Sequence, residues 1–349
     1  MDERDSDPAP QRRRRERYPG THPRRFEQKY KELDPQRYPE IAEHVKGRGQ
    51  TPAGQHVPIL VESVLAQLDP KPGERGVDCT LGWGGHAQRL LERLDPGGSL
   101  LALDVDPIEI ERSEARLRAA CPPSVELLVR RTNFAGLARA LGDAGWTDGV
   151  DFLLADLGVS SMQIDDPARG FSFKIDAPLD LRLNPRRKPS GAEWLASVGL
   201  EELERALREN ADEPRAEAIA RALLDRRGAI RTTFELAQGV RSALPASLSE
   251  DERELAVRRV FQAVRIAVNG ELEALDELLR QLPDALRPGG RAVFLTFHSG
   301  EDRRVKQAFR AGLASGRFSA ISSEVERPSA EEQRANPRSS SAKLRWARR

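Results

Sequence analysis

The sequence predicts an α/β fold, a doubly wound parallel sheet carrying an inserted helical domain, and three observations predict it. Short apolar runs alternate with amphipathic stretches from about residue 56 to residue 156, the spacing of parallel βαβ units. A glycine-rich turn follows the first run and an acid closes the second, the arrangement by which such sheets meet a nucleotide. The alternation then lapses between about Asp165 and Asp251, where helical stretches have no companion strand, and afterwards resumes.

Residues 1–50 are rich in Arg, Pro, Glu and Gln and hold few aliphatic side chains. They cannot bury enough surface to offset chain entropy and read as a disordered basic arm. Helical apolar spacing begins at Val57 and runs to Leu68, and Gly76-Val-Asp-Cys-Thr80 is a short strand entering the glycine turn. Gln88–Leu94 has helical spacing, Leu100-Leu-Ala-Leu-Asp104 is a second strand, and a helix runs from Pro107 to about Ala120, with proline suited to its first turn. Val125–Arg130 is a third strand, Phe134–Ala144 a third helix and Asp151–Asp156 a fourth strand.

A Pro-, Gly- and Asp-rich loop follows, then amphipathic stretches at 193–210, 213–227 and 233–243. Beyond them come a helix over Leu255–Leu282, the turn Arg287-Pro-Gly-Gly290, strand Arg291–Phe297, a helix over Glu301–Gly312, and strands near Phe318–Val325 and Ala342–Ala347. The expected organisation is therefore an arm over 1–50, a sheet domain over 51–164 and 252–349, and a helical substrate-recognition insertion over 165–251.

Composition removes several classes of function. No apolar run approaches the roughly 20 residues that span a bilayer, and the start lacks a secretory h-region, so a cytoplasmic protein without membrane contact is expected. Cys79 and Cys121 are the only cysteines, giving neither a disulfide framework nor a Cys/His metal pattern, so no metal is expected. With 56 basic and 55 acidic residues the net charge of +1 announces no partner, but basic residues crowd both ends, as at Arg12–Arg15 and Arg338–Arg349. Such runs either meet phosphate or are merely solvated.

Two constellations carry chemistry. Asp78-Cys-Thr-Leu-Gly-Trp-Gly-Gly-His86 lies between the first strand and its helix, where glycines allow close backbone approach and the helix start offers free N–H groups. Asp104-Val-Asp106 ends the second strand, where a carboxylate can accept both hydroxyls of an adenosine ribose. The pair fits either a nicotinamide dinucleotide or S-adenosylmethionine. The Gly-x-Gly-Gly-His turn, unlike Gly-x-Gly-x-x-Gly, favours the latter. Asp156-Leu-Gly-Val-Ser-Ser-Met-Gln163 occupies the carboxyl edge of the fourth strand and leads into a long polar loop, Asp165–Phe173 and Asp176–Arg182. Such loops in compact domains are usually functional.

Those residues resemble the bacterial family of 16S ribosomal RNA cytosine-N4 methyltransferases, which modify a decoding-centre cytidine. His56-Val-Pro-Ile-Leu60, Asp78–His86, Asp156–Gln163 with Arg169–Phe173 and Pro178–Arg182, Phe261–Glu271, Thr296–Arg303 and Asn336–Arg345 carry the likeness, in order, from His56 to the C-terminus. The sequence departs from the family pattern at Ala87, Gly300 and Asn210–Pro214. The resemblance implies a Rossmann-like class I methyltransferase fold and a substrate of 16S rRNA within the small ribosomal subunit, and leaves a homodimer open. It implies that Gly84, Gly85, His86, Asp104, Phe134, Asp156 and Gln163 bind S-adenosylmethionine, with Phe134 beside the adenine.

An exocyclic cytosine amine is a weak nucleophile, so catalysis must align it and stabilise developing positive charge. Asp156, with the backbone carbonyls of Leu157–Ser160, is the expected catalytic group that accepts hydrogen bonds from the amine, unless its role is donor binding only. His298, at the end of the fifth strand, is either a second catalytic residue or part of a helix-capping block. Arg169, Phe171, Phe173, Asp180 and Arg182 either clamp a flipped cytidine or pin the insertion to the sheet.

Overall fold

A computed structural model describes residues 58–349; the arm expected over 1–50, and His56, lie outside the described residues. Seven strands form one sheet in the order β3-β2-β1-β4-β5-β7-β6. They are β1 Arg75–Asp78, β2 Ser99–Asp104, β3 Glu126–Arg131, β4 Val150–Asp156, β5 Leu286–Thr296, β6 Ala320–Ile321 and β7 Lys343–Arg348. The first five are parallel, whereas β7 runs antiparallel between β5 and β6. The strand order reverses between β1 and β4, which opens a crevice beyond their carboxyl ends.

The inner strands read as continuous apolar runs because helices cover both faces. Alternate residues serve opposite sides. Leu101, Leu103, Leu153 and Ala155 pack towards one face with Leu137, Leu275, Leu282 and Phe309. Leu100, Ala102, Phe152 and Leu154 pack towards the other with Leu90, Leu94 and Leu117. The helices of the first face are α4 Leu137–Asp143, α11 Glu271–Ala285 and α12 Ser299–Ala314; those of the second are α1 Val61–Leu68, α2 Gly85–Leu94 and α3 Pro107–Ala120.

A third apolar cluster joins Leu179 and Leu181 to α6 Gly191–Ser197, α7 Leu200–Ala211, α8 Ala216–Asp225, α9 Thr233–Ser242 and α10 Glu250–Asn269. Capping boxes begin three of these helices, at Ser190/Glu193, Thr232/Glu235 and Ser249/Glu252.

Several elements differ from expectation, each for a local reason. The helix expected over Leu255–Leu282 is two helices, because Gly270 adopts φ +63° and serves as C-cap of α10 and N-cap of α11. Val198 and Gly199, both extended, divide the 193–210 stretch into α6 and α7. Phe134–Gly136 forms a 3-10 turn before α4. The Arg287–Gly290 turn is carried inside β5, where the ladder jumps from Val150–Leu286 to Phe152–Arg291. Only Ala320 and Ile321 of the strand expected near Phe318–Val325 pair with β7. Among the described residues no helix is long and apolar enough to cross a membrane, and no group of three or more His, Cys, Asp or Glu could hold a metal ion.

Candidate functional site

The carboxyl ends of β1, β2 and β4 converge on one crevice. Thr80 ties two of them: its backbone N–H donates to Asp78 Oδ1 at 3.0 Å, and its hydroxyl oxygen accepts the Asp156 N–H at 2.6 Å. The glycine turn is held to the third. Gly82 N–H donates to Asp104 Oδ2 at 2.7 Å, and Gly82 C=O accepts the Ser113 hydroxyl of α3 at 2.5 Å. Gly84 is the N-cap of α2 at φ +78°, and a Cβ there would lie 3.0 Å from Leu117. Both the left-handed backbone and the close helix approach therefore call for glycine.

The crevice encloses about 710 Å³ including its open mouth, and Thr80, Gly82, Asp104, Val105, Thr132–Phe134, Asp156–Ser160, Gln163, Leu183 and Glu271 line it. Asp104 and Asp156 are among the acids that line it, and Asp78 is buried at the end of β1. Burial pushes the Asp78 carboxyl up to about 7, with Asp104 nearby adding to the rise. Asp104 is pushed up to about 6 by burial, against the opposing N–H groups of Asp106 and Gly82. Asp156 goes up to about 8, through burial and then the charges of Asp78 and Glu301. Asp156 Oδ2 lies 3.6 Å from His86 Nε2, while its Oδ1 is buried with no hydrogen-bond partner. The side chain as a whole is 27% exposed and lines the crevice, so part of the carboxyl group meets whatever enters.

Of the residues singled out in the sequence, Asp104, Phe134, Asp156 and Gln163 line this crevice. Gly84, Gly85 and His86 form the start of α2 behind it. Gln163 is held by protein contacts: its Oε1 accepts Ser160 N–H at 2.9 Å in the capping box of α5 Ser161–Asp165, and its Nε2 donates to Asp106 Oδ2 at 2.8 Å. Asp106, fully buried, also caps α3 by accepting Ile108 N–H at 2.9 Å.

Asp106 holds Arg169 as well. Arg169 Nη1 donates to Asp106 Oδ2 at 2.8 Å, and Nη2 reaches the carbonyls of Arg182 at 3.1 Å and Leu183 at 2.8 Å. The guanidinium is 7% exposed and acts as an internal pin. Its neighbour Gly170, at φ +67°, lets the chain turn where a Cβ would meet Pro178 O at 2.5 Å.

Arg182 is likewise committed. It forms a two-pronged pair with Asp180 at 2.9 and 2.5 Å and donates to Arg187 C=O at 2.7 Å. Phe171 lies 5.7 Å from the Arg169 guanidinium, and Phe173 packs at 5.4 Å against Phe261 of α10. These five residues thus build the wall that carries Leu183.

His298 is outside the crevice lining and is the N-cap of α12, part of a capping box with Glu301. Its Nδ1 accepts Glu301 N–H at 3.4 Å, its Nε2 lies 3.2 Å from Glu301 Oε1, and Glu301 Oε2 accepts Phe297 N–H at 2.8 Å. Glu301 is held below the usual carboxylate range by His298 and Arg265 despite its burial. The departing block Asn210–Pro214 contacts the same helix. Asp212 accepts from Ser299 and pairs with Arg303 at 3.0 Å.

Sequence reasoning missed four groups. Asp106 had a visible signal, a second acid before a helix-starting proline, but not its partners 57 and 63 residues away. Asn133 caps the turn that presents Phe134, accepting Ala135 N–H at 2.8 Å. Asn269 clamps the wall loop, its Nδ2 donating to Leu181 C=O at 2.7 Å and its Oδ1 accepting Leu183 N–H at 2.8 Å. Glu271 lines the crevice while paired to Arg265 at 2.9 and 2.8 Å.

The sequence model of the MraW methylase family matches residues 53–349. Relatives include "Ribosomal RNA small subunit methyltransferase H 1" of Agathobacter rectalis, 48% identical over 97% of this chain and 97% of that protein. The protein of the same name from Lachnoclostridium phytofermentans is 47% identical over 97% and 93%. "Ribosomal RNA small subunit methyltransferase H 2" of Alkaliphilus metalliredigens is 46% identical over 96% and 97%.

Proposed function

Since the chain belongs to the MraW methylase family of S-adenosylmethionine-dependent methyltransferases, we propose that it methylates the N4 amine of a cytidine in 16S rRNA, at the decoding centre of the small ribosomal subunit. The observation that carries this reading is the half-buried Asp156 carboxylate at the end of β4, which lines the crevice.

The crevice suits the cofactor. Asp104 has each oxygen engaged by one backbone N–H, at 2.7 and 2.8 Å, and a carboxylate has further lone pairs for two ribose hydroxyls. Phe134 and Val105 supply apolar surface for a base, and the acids suit a cation. S-adenosylmethionine supplies, when bound, an electrophilic methyl group on a sulfonium.

Asp156 accepts a hydrogen bond from the substrate amine, drawing its lone pair out of conjugation, and takes the proton as the nitrogen becomes positive. Its raised value, about 8, makes it a strong enough base to hold that proton. Backbone carbonyls of Leu157–Ser160 are the further acceptors, and His86 steadies the second carboxylate oxygen. Arg169, Gln163 and Asp106 are positioning residues. Residues 165–251, with α10 packed in the same cluster, present the RNA, and 51–164 with the rest of 252–349 hold the donor. The enzyme works in the cytoplasm.

The decisive experiment is labelled methyl transfer to small subunits from cells lacking the corresponding gene, with nucleoside mass spectrometry of the product. Label on N4 of cytidine is expected; label on a base carbon or on protein refutes the proposal.

A further inference from the structure

We infer that Arg186 and Arg187 form a phosphate-binding strap at the mouth of the crevice, gripping the RNA backbone beside the target nucleotide. The inference rests on the functional reading above and goes beyond it in assigning the contact.

Phosphate contacts fix the register of a nucleic acid on its protein, and cations supply most of them. Two arginines of the loop that carries Leu183 are not available for this. Arg169 is buried on Asp106 and two carbonyls, and Arg182 is locked to Asp180 and to Arg187 C=O. The same loop then presents Arg186, Arg187 and Lys188, all exposed.

Among the described residues, neither the Arg186 nor the Arg187 guanidinium has an acidic partner or a hydrogen bond, while Lys188 has Glu193 at 3.8 Å. The chain carries a net charge of only +1, so adjacent unneutralised arginines are a local feature, not an overflow of overall basicity.

Position and stiffness make the pair a site. Leu183 lines the crevice, and even fully extended chain puts Arg187 no more than about 14 Å beyond it. The loop is anchored at both ends of that span. Asn269 and Arg169 hold Leu183, Arg182 holds Arg187 C=O, and Asn184 makes a turn whose Oδ1 accepts Arg186 N–H at 3.0 Å and whose C=O accepts Arg187 N–H at 3.0 Å. Two donor-rich side chains on a preformed turn lose little backbone entropy on meeting phosphate.

The test compares the full chain with its Arg186→Ala/Arg187→Ala variant, using small subunits from cells lacking the gene as methyl acceptor and calorimetry with S-adenosylhomocysteine. The expected result is unchanged S-adenosylhomocysteine affinity, kcat within about twofold, and KM for the subunit raised about tenfold. The slope of log(kcat/KM) against log[salt] should become shallower by about 1.4, two contacts at roughly 0.7 each for single-stranded RNA. Arg186→Lys/Arg187→Lys should recover most of the salt dependence.

An unchanged KM and slope in the alanine variant, with the parent enzyme active on subunits, overturns the strap alone. Weakened S-adenosylhomocysteine binding also overturns it, because the loop would then belong to the donor wall. A parent enzyme that methylates no RNA overturns the functional reading and the strap with it.

Discussion

Replacing Arg169 by Ala should destabilise the protein far more than its loop position suggests. The substitution strands the Asp106 carboxylate, fully buried and bonded to Gln163 Nε2 at 2.8 Å and to the start of α3. Removing one member of a buried pair costs about 3–5 kcal/mol, since the remaining charge cannot be rehydrated. It also frees the carbonyls of Arg182 and Leu183, and with them the crevice wall. At roughly 2 °C per kcal/mol for a body of this size, the melting temperature should fall by about 6–10 °C.

The assay is thermal unfolding followed by circular dichroism, on Arg169→Ala, Asp106→Ala and the double variant. Because both singles break the same pair, the double should cost less than their sum. A single variant melting within about 2 °C of the parent, or strict additivity, would refute the reasoning.

Three further outcomes are expected. Asp156→Asn should abolish methyl transfer while S-adenosylhomocysteine still binds; in the parent, kcat/KM should drop about tenfold per pH unit below about 8, the value to which burial raises this carboxyl. For stability the sign is opposite: the Asp156 contribution is full below its ordinary 3.8 and is lost as pH rises through about 8, so Asp156→Asn should flatten that part of a stability–pH curve. His298→Ala should lose about 1 kcal/mol or more of stability and His298→Asn regain much of it, both with kcat within a few-fold, and a collapse of kcat in both would make the ring catalytic instead of a cap. Phe134→Ala should weaken S-adenosylhomocysteine by about 1–3 kcal/mol in calorimetry, the usual worth of an aromatic stacked on a base; unchanged affinity would remove it from the adenine site.

What the sequence disclosed follows how far its signals reach along the chain. Strands β1, β2 and β4 were legible because alternate apolar residues serve two buried faces, and Asp104 and Asp156 because acids at strand ends mark a crevice. Helix breaks at Gly199 and Gly270 were less so, since glycine is tolerated within helices and tertiary packing decides whether it ends one. For Arg169 and Arg182 the sequence left two readings, a clamp on the nucleotide or an internal pin, and named no partners for the pin. Whether a loop arginine faces solvent or a carboxylate 63 residues away is settled by folding. The basic arm was also harder to judge. The relative that matches 97% of the chain necessarily spans most of the first 55 residues, although their composition gave no pattern to compare.

Asp104 and Asp156 line the crevice and Asp78 lies buried at the end of β1, three carboxyls whose values sit between about 6 and 8. In the proposed reaction the donor arrives as a sulfonium cation and leaves as a thioether, so the bound cation favours the ionised form of these carboxyls and the product favours it less.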